Sequence, residues 1–189
     1  MRNILKTTFI FLSLFTLTLN AVEENQIQSF MDQKVKEVLA TLKDKSLSDE
    51  QKKVKNIAII DQVFDYAIMS QISLGRAWKN ISAKEKKAFI AAFANKIKLS
   101  YLDKLKLYNN QTVTIEKMNK VKSNRITVEA EIVGIDDTYK VVYLFYKKKN
   151  NDWAIYDVEL IGVSLIQTYR KQFAEFLKEK SMAQLIDSL

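Results

Sequence analysis

Residues 153–173 read W-A-I-Y-D-V-E-L-I-G-V-S-L-I-Q-T-Y-R-K-Q-F, and the hydrophobic period changes inside this one stretch. Trp153 to Leu160 alternates as a half-buried strand does. Gly162 then lets the chain turn sharply, and Ser164 is placed to cap a helix. Val158, Leu160, Val163 and Leu165 crowd this corner, and Tyr169 and Phe173 carry the same apolar face along the helix, with Arg170 and Lys171 outside it. A strand that turns directly into a helix with this much apolar bulk builds the corner of a core or of a cavity. No His, Cys or Gly-rich loop lies near it to do chemistry.

Upstream, the period of 2 continues back to Asn110. Thr112 to Met118 is a strand candidate. Asn124 to Val133 alternates Ile126, Val128, Ala130 and Ile132 against Thr127, Glu129 and Glu131. Asp136-Asp137 and Asn150-Asn151-Asp152 are turn chemistry. Thr138 to Lys147 differs: Tyr139, Val141, Tyr143 and Phe145 fill one face while Val142, Leu144 and Tyr146 fill the other, so both faces need cover. Before Asn109 the spacing is helical. A helix is predicted over 24–43. A second opens on the Ser48/Gln51 capping box and a third runs from Asp65 to Trp78. A long one opens on Ser82/Glu85 and carries Phe89, Phe93, Ile97, Tyr101 and Leu105 on one face. Helices first, then a meander of about four antiparallel strands, then one or two helices is an α+β arrangement. The twisted sheet packs against several helices, with an apolar cavity between them as one way to cover the second face of 138–147.

The N-terminus carries Arg2 and Lys6, an uncharged apolar run from Thr8 to Leu19, and Leu19-Asn20-Ala21 as a cleavage site, the pattern of a secretory signal peptide. The run is too short for a span, which needs ~20 apolar residues. Residues 1–21 are therefore read as the leader and 22–189 as a single domain. The absence of Cys and Pro fits a periplasmic protein of a Gram-negative bacterium. The net charge of +8 favours anionic partners. Export argues against nucleic acid, and the Lys residues are spread along the whole chain.

With no His and no Cys, most nucleophilic triads and zinc sites are excluded. Three Gly residues in all cannot make a Gly-rich phosphate or dinucleotide loop. Asp61 with Asp65, four apart on a helix face, is the acidic pair best placed to share a proton or hold a cation. Asp157 and Glu159 share a strand face and can pair with Lys residues.

Two motifs then carry a likeness. F-D-Y-A-I-M-S-Q-I-S-L-G-R-A-W, Phe64 to Trp78, resembles the F-D-x-x-x-M-x-x-x-x-L-G-x-x-W segment of the MlaC (toluene-tolerance) family. The stretch quoted first resembles that family's W-x-x-Y-D-V-x-x-x-G-V-S-L-x-x-x-Y-R-x-x-F. The resemblance implies a periplasmic phospholipid carrier that catalyses nothing and needs no cofactor or metal. Such a carrier holds a glycerophospholipid and shuttles it between outer and inner membranes as the soluble component of an ABC-type lipid transport system. Its implied partners are an inner-membrane MCE-domain/ABC transporter complex and an outer-membrane lipoprotein complex. The acyl-chain cavity is then expected to be lined by Ile126, Val128, Val141, Tyr143, Phe145, Val158 and Leu160 from the sheet. Phe64, Ile68, Ile72, Phe89, Phe93 and Ile97 would face them from the helices, with Tyr169 extending the wall. Two other classes remain open on the residues alone. One is an exported small-ligand enzyme of cone-like α+β fold using a buried carboxylate, Asp61 or Asp65, or Tyr143. The other is a structural or chaperone-like envelope protein with no small ligand.

Overall fold

The computed structural model describes residues 22–134 and 137–189, so the expected leader and Asp136 lie outside it. The architecture is α+β. Four helices come first: α1 (Ile27–Lys43), α2 (Asp49–Ile60), α3 (Tyr66–Leu74) and α4 (Ala83–Leu105). A meander follows, of β1 (Thr112–Lys122), β2 (Arg125–Val133), β3 (Thr138–Lys147), β4 (Trp153–Leu160) and β5 (Val163–Ser164), and α5 (Leu165–Glu179) and α6 (Met182–Asp187) close the chain. Strand order follows sequence order, and every neighbouring pair is antiparallel.

The helix starts are written in the sequence. Ser48 with Gln51 and Ser82 with Glu85 form complete capping boxes, and Ser181 with Gln184 forms another at α6. Ser164 caps α5 by accepting from Gln167 N. The fifth strand was not anticipated. Ile161 and Gly162 take φ of 52° and 76°, which closes a two-residue turn and folds Val163 and Ser164 back on Leu160 and Glu159.

Directly paired residues share a sheet face. Ile126, Val128 and Ala130 on β2 stand opposite Phe145, Tyr143 and Val141 on β3, and these oppose Ile155, Val158 and Leu160 on β4. A bulge at this point of β4 keeps Ile155 and Val158 on one face although they are three residues apart. This inner face packs on Ile27 and Met31 of α1, together with Ile60 and Val63. A second cluster forms among the helices: Met69 and Leu74 of α3, Phe89, Phe93 and Ile97 of α4, Ile166 and Phe173 of α5, and Met182 and Leu185 of α6. Phe64 packs against both clusters.

Candidate functional site

The two sequence motifs meet at the joint between these clusters. Asp65 caps α3, its Oδ1 accepting from Ala67 N and Ile68 N at 3.1 Å each. Its Oδ2 accepts from the Tyr146 hydroxyl of β3 at 2.5 Å, and its own N–H donates to Ile155 O of β4. One residue therefore fixes α3 to two strands. Asp157, only 4% exposed, does the same for α5. Its Oδ1 accepts from Val158 N and Ile166 N, and its Oδ2 from Ser164 Oγ at 2.5 Å. The expected pairing of Asp157 with a Lys is corrected: the carboxylate, on the face of β4 opposite Tyr143 and Val158, is buried under the corner it holds, and its acceptor sites are filled there. Gly75 takes φ of 55°, and a Cβ there would lie 3.0 Å from Arg170 Nε. The L-G of the first motif and the Y-R of the second thus interlock, with α3 against α5.

Asp61 is similarly engaged. It accepts from the Tyr66 hydroxyl at 2.9 Å and from Lys98 Nζ at 2.8 Å, and Lys98 also lies over the Tyr66 ring. Burial, with the Asp61 bond behind it, pushes the Tyr66 phenol far up. Among the described residues, no group of three or more His, Cys, Asp or Glu gathers to hold a metal ion.

The residues expected to line a cavity fall into two sets. Phe89, Phe93, Ile97, Ile72 and Tyr169 belong to the helical cluster and do not look across at the sheet. Their space is taken by α5: Phe173 meets Phe89 edge-on at 5.6 Å and Phe93 at 5.3 Å, and Tyr169 meets Phe93 at 4.9 Å. Ile68 is half-buried. The sheet set does share one face, and its packing is graded. Ile126, Phe145, Trp153 and Ile155, near the β3–β4 turn, are sealed. Val128, Ala130 and Val141 are buried too. On the β4 side the face opens: Tyr143 and Val158 are half-buried and Leu160 is 42% exposed. Burial still pushes the Tyr143 phenol up to about 12.

Tyr101 was the residue of this region that the periodicity hid. It shares the stripe of Phe89, Phe93 and Ile97, but α4 is long enough to leave the helical cluster, and Tyr101 packs against the sheet cluster instead.

Exposed apolar residues gather where the inner face opens. The start of β1, the end of β2, the start of β3 and the end of β4 lie at one end of the sheet. Val133, Tyr139, Leu160, Ile161 and Val163 are exposed there, Ile161 by 65% and Val163 by 62%. Leu107 joins them: its carbonyl accepts from Gln111 Nε2, and Gln111 Cγ lies 3.6 Å from where a Gly134 Cβ would stand. An apolar rim thus borders the face where it opens beside β4, the arrangement that marks an interaction or ligand site.

The family model described as MlaC protein matches residues 32–189. The chain belongs to the MlaC family. It is similar to the intermembrane phospholipid transport system binding protein MlaC of Haemophilus influenzae, with 26% identity over 120 residues covering 61% of this chain and 56% of that protein. The chain thus spans little more than half the length of that curated relative. In three dimensions it is similar to a phospholipid-binding protein from Ralstonia solanacearum, solved in complex with a phospholipid. The TM-score is 0.72 at 24% identity, covering 85% of this chain and 92% of that one. This likeness shows the fold common to the two chains, the α+β arrangement with its open antiparallel sheet.

Proposed function

We propose that the protein is a periplasmic phospholipid carrier. In this reading it moves a glycerophospholipid between the two membranes of a Gram-negative envelope, as the soluble component of an ABC-type lipid transport system. The observation that carries the reading is the graded inner face, buried along β2 and opening on its β4 side at Tyr143, Val158 and Leu160 into an apolar rim. Two acyl chains of about 16 carbons represent roughly 25 kcal/mol of transfer free energy at ~0.8 kcal/mol per CH₂. Only an enclosed apolar site offsets that, and the family's lipid-binding relatives support the same ligand. The acyl wall is then Val141, Tyr143, Val158 and Leu160, faced by Tyr101. Ile126, Val128 and Phe145 form its sealed floor. Phe89, Phe93, Ile97, Ile72 and Tyr169 hold the helical layer behind it. An inner-membrane MCE-domain transporter complex and an outer-membrane lipoprotein complex are the partners the family resemblance suggests. Export through a cleaved leader over 1–21 places the chain between them. The enzyme reading draws little from the structure, because Asp61 and Asp65 are engaged in bonds that hold α3 in place.

The test is native mass spectrometry of protein purified without detergent, with lipid extraction of the same sample. A stoichiometric mass addition identified as phospholipid is expected. Leu160→Glu, at the exposed rim, should lower the lipid per protein without unfolding the chain. A clean protein mass, unchanged after incubation with phospholipid vesicles, would refute the carrier reading.

A further inference from the structure

Val22 is the first residue after Leu19-Asn20-Ala21, and its backbone N–H donates to Asp152 Oδ1 at 2.8 Å, across 130 positions of sequence. Asp152 stands in the turn between β3 and β4, with 22% of its side chain exposed, and its Oδ2 accepts from Lys148 Nζ at 3.2 Å. The Val22 side chain is half-buried and packs against the sheet cluster that holds Trp153, the residue after Asp152. Two residues on, Glu24 accepts from Lys120 Nζ of β1 at 2.6 Å. Residues 22–24 are thus tied to the β3–β4 turn at one point and to β1 at another. They lead through a single 3-10 turn, Glu24–Gln26, into α1, whose Ile27 and Met31 cover the inner face. This segment is a strap that fixes the start of α1 over the sheet. The Lys148 pair does not do the same work, because Lys148 and Asp152 belong to one turn and tie it only to itself.

We propose that Asp152 is the receptor for the N-terminal ammonium created when the leader is removed, and that this ion pair latches the strap against the sheet. The proposal rests on export through a leader cleaved after Ala21, and it holds whichever ligand the inner face takes. In the full chain the Val22 nitrogen is a neutral amide. Hydrolysis of the Ala21–Val22 peptide bond adds one water, leaves a carboxylate on Ala21 and makes the same nitrogen an ammonium. Its partner is already in place, so the bond gains a full charge without any rearrangement. A hydrogen bond between two ionised groups is roughly twice as strong as a neutral one, and partial burial of Asp152 shields it from screening. The geometry also selects the cleavage point. A chain starting one residue earlier would carry its ammonium about 3.8 Å further along, out of line with the carboxylate. α1 is then fully secured only in the processed chain.

The experiment expresses the full chain for export, beside a chain with Ser-Gln-Ser inserted between Ala21 and Val22. The insertion leaves Leu19-Asn20-Ala21 in place, keeps an amide N–H at Val22 and carries the ammonium roughly 10 Å away. The intact mass of each recovered product fixes its first residue, and the wild-type product should begin at Val22. In thermal melts of lipid-stripped protein the insertion should lower the melting temperature by about 2–4 °C. In an Asp152→Asn background, whose amide oxygen accepts a bond but carries no charge, the same insertion should shift it by less than about 1 °C. Equal melting of the processed wild-type and inserted chains would overturn the proposal. So would an insertion effect that survives Asp152→Asn. The insertion alters no side chain, so the first of these comparisons stands even if the Asn variant does not fold. A wild-type chain that keeps its leader, or begins at another residue, would refute the processing on which the proposal rests, and the proposal with it.

Discussion

Replacing Asp157 by Ala removes the acceptor that three donors share at the strand-to-helix corner. Val158 N can turn to solvent on its half-buried strand, but Ile166 N is fully buried and Ser164 Oγ is half-buried. Each buried donor left unpaired costs ~1–3 kcal/mol, so Asp157→Ala should destabilise the fold by about 3 kcal/mol. Asp157→Asn keeps one carbonyl oxygen, which can serve Ile166 N, and should cost about 1–2 kcal/mol. Ser164→Ala removes both the bond to Asp157 and the α5 cap, for ~1–2 kcal/mol. The double variant should show a coupling of ~1–2 kcal/mol, because the two side chains act as one unit. Urea unfolding of lipid-stripped protein, followed through the buried Trp153, measures this without the stabilisation a bound ligand adds. With a urea slope of ~2 kcal/mol per molar, the Asp157→Ala midpoint should fall by about 1.5 M. A fall below about 0.5 M, or strict additivity with Ser164→Ala, would show that Asp157 does not hold the corner.

Gly75→Ala places a Cβ 3.0 Å from Arg170 Nε on a backbone of positive φ, and a loss of ~1–3 kcal/mol in thermal melts is expected. Tyr146→Phe removes the bond to Asp65 and should cost ~1–2 kcal/mol by the same melts, whereas Tyr139→Phe, whose Asp137 bond is at the exposed rim, should cost almost nothing. Ile161→Asn replaces a β-branched residue at positive φ with one that accepts it, and should raise the melting temperature by a few degrees; a lower melting temperature would show that the turn is not strained. The Tyr143 phenol, held at about 12 by burial against an ordinary 10, favours the protonated form in the folded state. Its contribution is full below pH 10. It is lost as pH rises from 10 to 12, because the unfolded chain alone releases the proton there. The loss is ~2–3 kcal/mol, and the difference between wild-type and Tyr143→Phe stability across that window isolates it.

What the sequence shows follows from what periodicity can encode. The change of period at Asn110, the paired caps at Ser48 and Ser82, and the sharp corner at Gly162 all stand in the chain as written, because each depends on neighbours within a few residues. The fifth strand does not, since two residues leave no period to read and the turn that makes it uses an Ile where Asn or Gly is usual. Partner choice is hidden for a different reason. A stripe on α4 states that Phe89, Phe93, Ile97 and Tyr101 are covered, but not by what. The first three meet α5 and α6 while Tyr101 meets the sheet. That Tyr101 and Tyr143 pack against one cluster is legible only in the fold, because no spacing links positions so far apart in sequence.

The motifs that carry the family likeness also behave differently from the surface that would hold lipid. Phe64, Asp65 and Gly75 of the first motif, with Asp157, Ser164 and Arg170 of the second, lie on the joint between the helical cluster and the sheet, and each is fixed there by a bond, a shared packing contact or a close approach. A joint of this kind tolerates little change, since a lost acceptor or an added Cβ has no compensating rearrangement. The wall at Val141, Val158 and Leu160 is aliphatic and graded in packing, and a flexible acyl chain makes no demand on shape beyond apolarity. Swaps such as Val158→Ile or Leu160→Met should therefore leave lipid content nearly unchanged, while conservative changes at the joint cost stability. The recognisable part of such a sequence is then the scaffold that holds the wall open, and the ligand is identified through the fold. Should Val158→Ile abolish lipid retention in a chain of unchanged stability, the wall would be a shaped site, and this division between rigid joint and permissive wall would be wrong.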